Sequence, residues 1–175
     1  MTDKPFLTTE RLELWQPREA DMLAMHEVVL DPRTGRFLGP RAPFSDHAIR
    51  FMRNAGSWFL YGYGALMLRL PGQEKVIGNC GVFHTFRGLG EDFDDNPEAG
   101  WIVAAEHVGQ GLASEAMQAA LGWFDREHGP GRIVCMISPE NEPSLRLADK
   151  LGFAPVREAA LPDGAIVRVF ERARS

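Results

Sequence analysis

Residues Val108-Gly109-Gln110-Gly111-Leu112-Ala113-Ser114-Glu115-Ala116 form a glycine-rich turn running straight into an amphipathic helix, and their types and spacing point to chemistry. The first turn of a helix presents free backbone N–H groups and the positive end of the helix dipole. Glycines there let the main chain approach a diphosphate without side-chain clash. The expected occupant is therefore a phosphate-bearing ligand. Strand, glycine turn and helix also occur in nucleotide-binding motifs of other kinds, so the turn alone does not name that ligand. Upstream, Glu91, Asp92, Asp94 and Asp95 form an acidic loop, either simply solvated or suited to guiding a cation. His84, His107 and His128 sit in no recognisable catalytic pairing and read first as surface or packing residues.

A turn of this kind needs a strand before it and a buried helix face after it. Trp101-Ile102-Val103 supplies the strand end. Leu112, Ala113, Ala116, Met117, Ala120, Leu121 and Phe124 recur at steps of one and four, leaving Gln118, Asp125 and Arg126 in water. Arg11–Gln16 alternates as a half-buried strand, closed by Pro17. Asp21 is the expected cap of a helix through Val29. Ser45 or Asp46 is expected to cap a second helix ending near Phe59, after a loop whose apolar middle is Phe37 and Leu38. Ala65–Arg69 and Val76–Phe83 read as a hairpin, Phe86–Pro97 as a loop, Ala99–Val103 as the fourth strand and Arg132–Ile137 as a short buried strand. Asn141 opens a final helix that Gly152 closes, and a last hairpin turns at Pro162-Asp163-Gly164. The order β-α-α-β-β-β-α-β-α-β-β predicts a three-layer α/β (α+β) domain with a mixed sheet.

At 175 residues, with 45% hydrophobic and 25% charged composition, the chain fits a single domain over residues 1–175. No apolar run approaches the roughly 20 residues of a membrane-spanning helix, and Met1–Pro5 lacks a signal peptide's layout, so the cytoplasm is the expected location. A net charge of −5 without a basic stripe argues against nucleic acid as a partner. Cys80 and Cys135 lie in apolar, strand-like contexts and are expected to be small buried hydrophobes.

Four motifs in order narrow the reading. Glu98-Ala99-Gly100-Trp101-Ile102, then the glycine turn, then Asn141-Glu142-Pro143-Ser144, then Lys150-Leu151-Gly152-Phe153 resemble the GNAT N-acetyltransferase superfamily. Together with Thr8-Thr9-Glu10-Arg11-Leu12-Glu13-Leu14, they are similar to the branch containing the ribosomal-protein N-terminal acetyltransferases. The resemblance implies a mostly antiparallel mixed sheet whose two parallel central strands splay apart, with acetyl-coenzyme A as co-substrate in the gap and no metal. It implies main-chain contacts near Ile102 and Val103 for the pantetheine, and the stretch Val108, Gly109, Gln110, Gly111, Leu112, Ala113 and Ser114 around the diphosphate. Asn141 would hold a pantetheine amide, and Ser144 would lie near the thioester sulfur.

The implied reaction has three needs. A primary amine with a pKa of roughly 10 must lose a proton, the oxyanion needs donors, and the departing thiolate benefits from a proton. Glu98 is the candidate base, Ser144 the candidate acid or sulfur partner, and N–H groups at the end of the fourth strand the oxyanion donors. Phe37, Leu38 and His84 are candidate acceptor contacts, and Trp101 is expected in the core. Two positions depart from the family pattern: Ala148 stands where many members have a tyrosine acid, and Val108 where many have Gln or Arg. The expected acceptor is a small-molecule amine or a protein N-terminus, and the expected assembly a monomer or homodimer. Two rival readings are a coenzyme A-binding module without turnover and a nucleotide-phosphate binder indifferent between coenzyme A and ADP.

Overall fold

The computed structural model describes residues 4–129 and 131–173. Short strands β1 (Leu7–Thr8) and β2 (Glu13–Trp15) lead into helix α1 (Glu19–Leu30) and, past a 3-10 turn at Gly35–Phe37, helix α2 (Phe44–Tyr61). Strands β3 (Ala65–Arg69) and β4 (Gly78–Phe83) follow, then a one-turn helix α3 (Glu91–Asp94) and strand β5 (Glu98–Val103). After a second 3-10 turn at Ala105–His107 come α4 (Leu112–His128), β6 (Arg132–Ile137), α5 (Glu142–Lys150), β7 (Ala154–Ala160) and β8 (Ile166–Ala173). The sheet runs β1-β2-β3-β4-β5-β6-β8-β7.

Every neighbouring pair is antiparallel except β5 and β6. That parallel pair is in register at Glu98 and Val134 alone, whereas β5 meets β4 at six positions from Glu98 to Val103. The two central strands therefore part after one step, which is the splay expected from the resemblance.

Period-two alternation sends successive residues to opposite faces. Leu66 and Leu68 of β3 join Cys80, Val82, Ala99, Ile133 and Cys135 beneath α4, whose Leu112, Ala116, Met117, Ala120, Leu121 and Phe124 are the buried stripe expected from its spacing. Ala65 and Met67 face the other way, toward Met25 of α1 and Phe51 of α2. Helices thus cover both sheet faces. No helix among the described residues is long and apolar enough to cross a membrane.

Several boundaries differ from expectation for physical reasons. Asp21 does not cap α1: it lies inside the helix, accepts from the Arg18 backbone N–H (2.9 Å), and pairs with Arg69, both side chains being only 3% exposed. An arginine buried in β3 needs a counter-charge, and Asp21 supplies it. Pro43, not Ser45 or Asp46, precedes the first turn of α2. The acidic loop contains α3 because Phe93 is fully buried against Val134 and Val169.

Removing one partner of a buried ion pair leaves the other charge stranded. Asp21→Ala is therefore expected to cost about 3–5 kcal/mol of unfolding free energy, measured by urea denaturation. A loss within about 0.5 kcal/mol, the usual range for a surface change, would contradict this placement.

Candidate functional site

Where β5 and β6 part, main-chain groups lose their partners. The Ala104 N–H donates to Ile77 O (2.8 Å), and in an antiparallel ladder hydrogen-bonded pairs alternate, so Ile102 and Gly100 turn their peptide groups toward β4. A Cβ on Gly78 of β4 would meet Ile102 O at 2.1 Å, consistent with that direction. The peptide groups of Trp101 and Val103 consequently face the gap. Of the two expected pantetheine contacts, Val103 is so placed and Ile102 is not. Trp101, expected only in the core, takes the second place, and the alternation of the ladder is the signal that could have found it.

At the exit of β5 the chain turns through Gly109 and Gly111, with φ of +81° and +79°, a region that a side chain would make costly. None of the N–H groups from Gly109 to Ser114 donates to another group among the described residues, since the first bond of α4 runs from Glu115 N to Gly111 O. Six successive donors are thus left free beside the gap. Leu112 anchors this turn in the core, Ala113 and Ser114 are half-buried, and Val108 is exposed. The Gln110 side chain donates back to Glu106 O (3.1 Å).

A grip from the N-terminal segment holds the turn. Glu115 accepts from Thr9 Oγ1 (2.6 Å), the Arg11 N–H (2.9 Å) and Arg11 Nε (2.7 Å), while Arg11 Nη1 donates to the Gln110 carbonyl (2.9 Å). With that carbonyl tied to Arg11, the neighbouring N–H groups are left for a ligand. Partial burial raises the Glu115 pKa, but the bonds from Thr9 and Arg11 outweigh it and hold the carboxyl below its usual range. Arg11, Gly111, Ser114 and Lys150 line a hollow of about 350 Å³ beside this turn.

On the far side of the gap, Asn141 caps α5, its Oδ1 accepting from the Ser144 N–H (3.3 Å). Trp101 Nε1 donates to Ser144 Oγ (3.2 Å), so one hydrogen bond links β5 to α5 across the opening. Indole N–H is only a donor; the serine oxygen therefore accepts, and its own O–H remains free to donate. Ala148 is sealed in the core, its carbonyl taking the Phe153 and Leu151 N–H groups, and it offers no acid.

Glu98, the expected base, lies inside a hydrogen-bonded cluster. It is 3% exposed, receives Arg87 through Nε (2.9 Å) and Nη2 (2.8 Å), and also accepts from Thr85 Oγ1. Oε2 takes two of these bonds and Oε1 one, so the carboxylate holds the loop after β4 and keeps one acceptor site on Oε1. The acidic loop is similarly committed: Asp92 pairs with Arg157 (2.9 Å), and Asp94 accepts from the N–H groups of Arg87, Gly88 and Leu89.

The three expected acceptor contacts come from two segments, the loop of Phe37 and Leu38 and the residue after β4. Thr34 Oγ1 accepts from the Ala105 N–H (2.9 Å) and ties the loop of Phe37 and Leu38 to the exit of β5. His84 stands at the entry of that strand, roughly 20 Å away along it. There its Nε2 donates to Asp94 O (3.0 Å), Nδ1 accepts from the Tyr63 hydroxyl (3.3 Å), and the ring stacks on Tyr61 at 4.5 Å. Cys80 and Cys135 are free and buried, and burial pushes the Cys80 thiol up to about 12 and Cys135 well above its ordinary value. The described residues contain no group of three or more His, Cys, Asp or Glu that could hold a metal.

The model of the acetyltransferase (GNAT) domain matches residues 11–154. A Bordetella pertussis structure described as a GNAT-family acetyltransferase is 38% identical, covers 95% of this chain and 98% of its own, and superposes with a TM-score of 0.84. The uncharacterized N-acetyltransferase YnaD of Bacillus subtilis is 27% identical over 146 residues, covering 83% of this chain and 81% of its own. At 15% and 18% identity the likeness is of fold alone. It extends to the ribosomal-protein-S5-alanine acetyltransferase of Vibrio fischeri (TM-score 0.74, 97% and 96% covered) and to the aminoglycoside acetyltransferase AAC(6')-Ib (0.75, 93% and 95%). These likenesses do not single out the ribosomal-protein branch.

If the free N–H groups bind the ligand, Gly111→Ala should weaken coenzyme A binding measured by calorimetry. Gly129, at the opposite end of α4 with φ of +65°, supplies the control. Gly111→Ala is expected to lower stability by about 1 kcal/mol and Gly129→Ala, at ψ −167° where glycine alone fits comfortably, by about 1–3 kcal/mol. Only Gly111→Ala should also raise the coenzyme A Kd, by about tenfold or more, as loss of a charge-assisted hydrogen bond would. Equal Kd values for the two variants would move the ligand site elsewhere.

Proposed function

Since the chain belongs to the GNAT acetyltransferase family, we propose that it transfers the acetyl group of acetyl-coenzyme A directly to a primary amine of a small molecule or protein N-terminus. The observation that carries the reading is the run of six partnerless N–H groups from Gly109 to Ser114 beside the gap between β5 and β6. That run suits a diphosphate, and the pantetheine would then add to the open edge of β5 at Trp101 and Val103, as an extra strand does. The nearby cations Arg11 and Lys150 would favour the coenzyme's phosphates.

In the reaction, the neutral amine's lone pair attacks the thioester carbonyl carbon and the carbonyl oxygen becomes an oxyanion. Main-chain N–H groups of β5 facing the gap are the available donors to it. Collapse breaks the C–S bond; the thiolate takes a proton, and the nitrogen gives one up to water as it becomes an amide, so the exchange balances. Ser144, whose hydroxyl accepts from Trp101 and keeps its own proton to give, is the proposed donor. Asn141 has its carbonyl oxygen in the cap and its NH₂ group available for a pantetheine carbonyl. Glu98 acts one step removed, by fixing Arg87 and the loop at the point where the strands part. Two deeply buried thiols leave no cysteine to carry an acyl group, which favours a ternary complex over an acyl-enzyme.

Thiol release from acetyl-coenzyme A across a panel of amines and peptides tests the transfer, and binding without release would return the chain to a coenzyme A-binding module. Ser144→Ala should lower kcat on the order of 10²-fold while leaving coenzyme A affinity within a few-fold. Trp101→Phe, which keeps the ring and removes the N–H, should lower kcat less. An unchanged rate in Ser144→Ala would confine that residue to the cap.

A further inference from the structure

Two arginines of α2, Arg50 and Arg53, have no carboxylate partner among the described residues, although the chain carries a net charge of −5. Most of the other arginines are paired: Arg11 with Glu115, Arg69 with Asp21, Arg87 with Glu98, Arg157 with Asp92 and Arg172 with Asp125. The position of Arg53 makes this lack significant. One turn further along the same side of α2, Ser57 Oγ accepts from the His84 N–H (2.9 Å) and donates to Tyr63 O (2.8 Å), which fixes the helix over the end of β4. Phe51 of α2 packs with Phe83 of β4 and Ile102 of β5. Phe83 is in register with Glu98. Arg53 therefore stands over the entry of β5, on the sheet face that bears Glu98 and Gly100, opposite the face that Trp101 shares with α4.

The surroundings of Arg53 are short of negative charge. Arg50 and Arg53 are both exposed along much of their side chains; partial burial of the Arg53 guanidinium and then the fields of Arg87 and Arg50 lower its pKa, with Glu98 offsetting part of this. Glu98 makes no ion pair with Arg53; its two-pronged partner is Arg87. The next residue, Asn54, has a side-chain carbonyl oxygen buried without any hydrogen-bond partner. Such an orphan is costly.

Resting on the transfer reading above, we propose that the acceptor is a small amine that also carries an oxyanion, carboxylate or phosphate, and that Arg53 binds the oxyanion. A guanidinium takes either group in a two-pronged fork, with Arg50 adding to the field. The coenzyme's phosphates lie past the far end of β5, so the two anion sites are separate and only one of them belongs to the acceptor. Arg53 is a specificity-determining residue with no part in the chemistry of the acetyl group.

Matched acceptor pairs test this by thiol release under steady-state conditions: α-amino acids against their carboxamides, and aminoalkyl phosphates against the parent amino alcohols. The acid-bearing member of at least one pair should have the higher kcat/KM, and the pair that shows it tells carboxylate from phosphate. Arg53→Gln should raise KM for that member by about tenfold or more, leave its kcat and the coenzyme A Kd unchanged, and abolish the preference. Arg53→Lys, which keeps the charge and loses the fork, should restore part of it. Thiol release that favours the neutral members, or an Arg53→Gln variant that slows both members equally, would overturn the oxyanion site while leaving the transfer intact. Absence of release with every amine would overturn the transfer reading and this inference with it.

Discussion

The single parallel step between β5 and β6 is the constraint on which the rest of the molecule depends. Glu98 and Val134 meet in register, and the strands then part. An open strand edge inside a sheet is costly, because main-chain donors and acceptors there lose their partners. This molecule leaves such an edge at Trp101 and Val103, a short step before a turn with six free N–H groups. Unsatisfied polar groups of two kinds, strand edge and helix start, thus adjoin along one line. A ligand with amides at one end and a diphosphate at the other satisfies both, which is the chemistry of coenzyme A.

Keeping that gap open requires support on both sides. At the vertex, Glu98 holds Arg87 and Thr85, and its burial makes the clamp rigid. Along the glycine turn, Arg11 and Glu115 bind the N-terminal segment to the first turn of α4 across more than a hundred residues of sequence. Across the mouth, the indole of Trp101 reaches Ser144. Each support is a hydrogen bond to a charged or strongly oriented group, the kind that fixes direction as well as distance. The acceptor side is built differently. There α2 presents two exposed cations without a carboxylate partner among the described residues, so selectivity would come from what the acceptor brings.

What could be read from the sequence was what local rules decide. The spacing of Leu112, Ala116, Met117, Ala120 and Phe124 dictates the buried face of α4, and the glycines at 109 and 111 announce positive φ by their residue type and their place ahead of a helix. Asn141 was legible as a cap because capping is settled within three residues. The surroundings of Glu98 were not legible: a carboxylate at a strand entry gives no sign that Arg87, eleven residues away in sequence, folds onto it. Asp21 misled for the same reason, its partner Arg69 lying forty-eight residues downstream. Trp101 was hidden by the choice of edge, since which residues face the gap depends on the register between β4 and β5. Arg53 carried no signal at all, because lacking a partner is a property of the whole fold.

The most direct measurement of the central claim is the backbone amide spectrum of the isotopically labelled protein as coenzyme A is added. The amides of Gly109 to Ser114 should shift most, with Trp101 and Val103 following, while those of Arg50 and Arg53 on α2 stay in place. Unmoved amides from Gly109 to Ser114 in a protein that nevertheless binds coenzyme A would contradict the account, since the free N–H groups would then hold nothing.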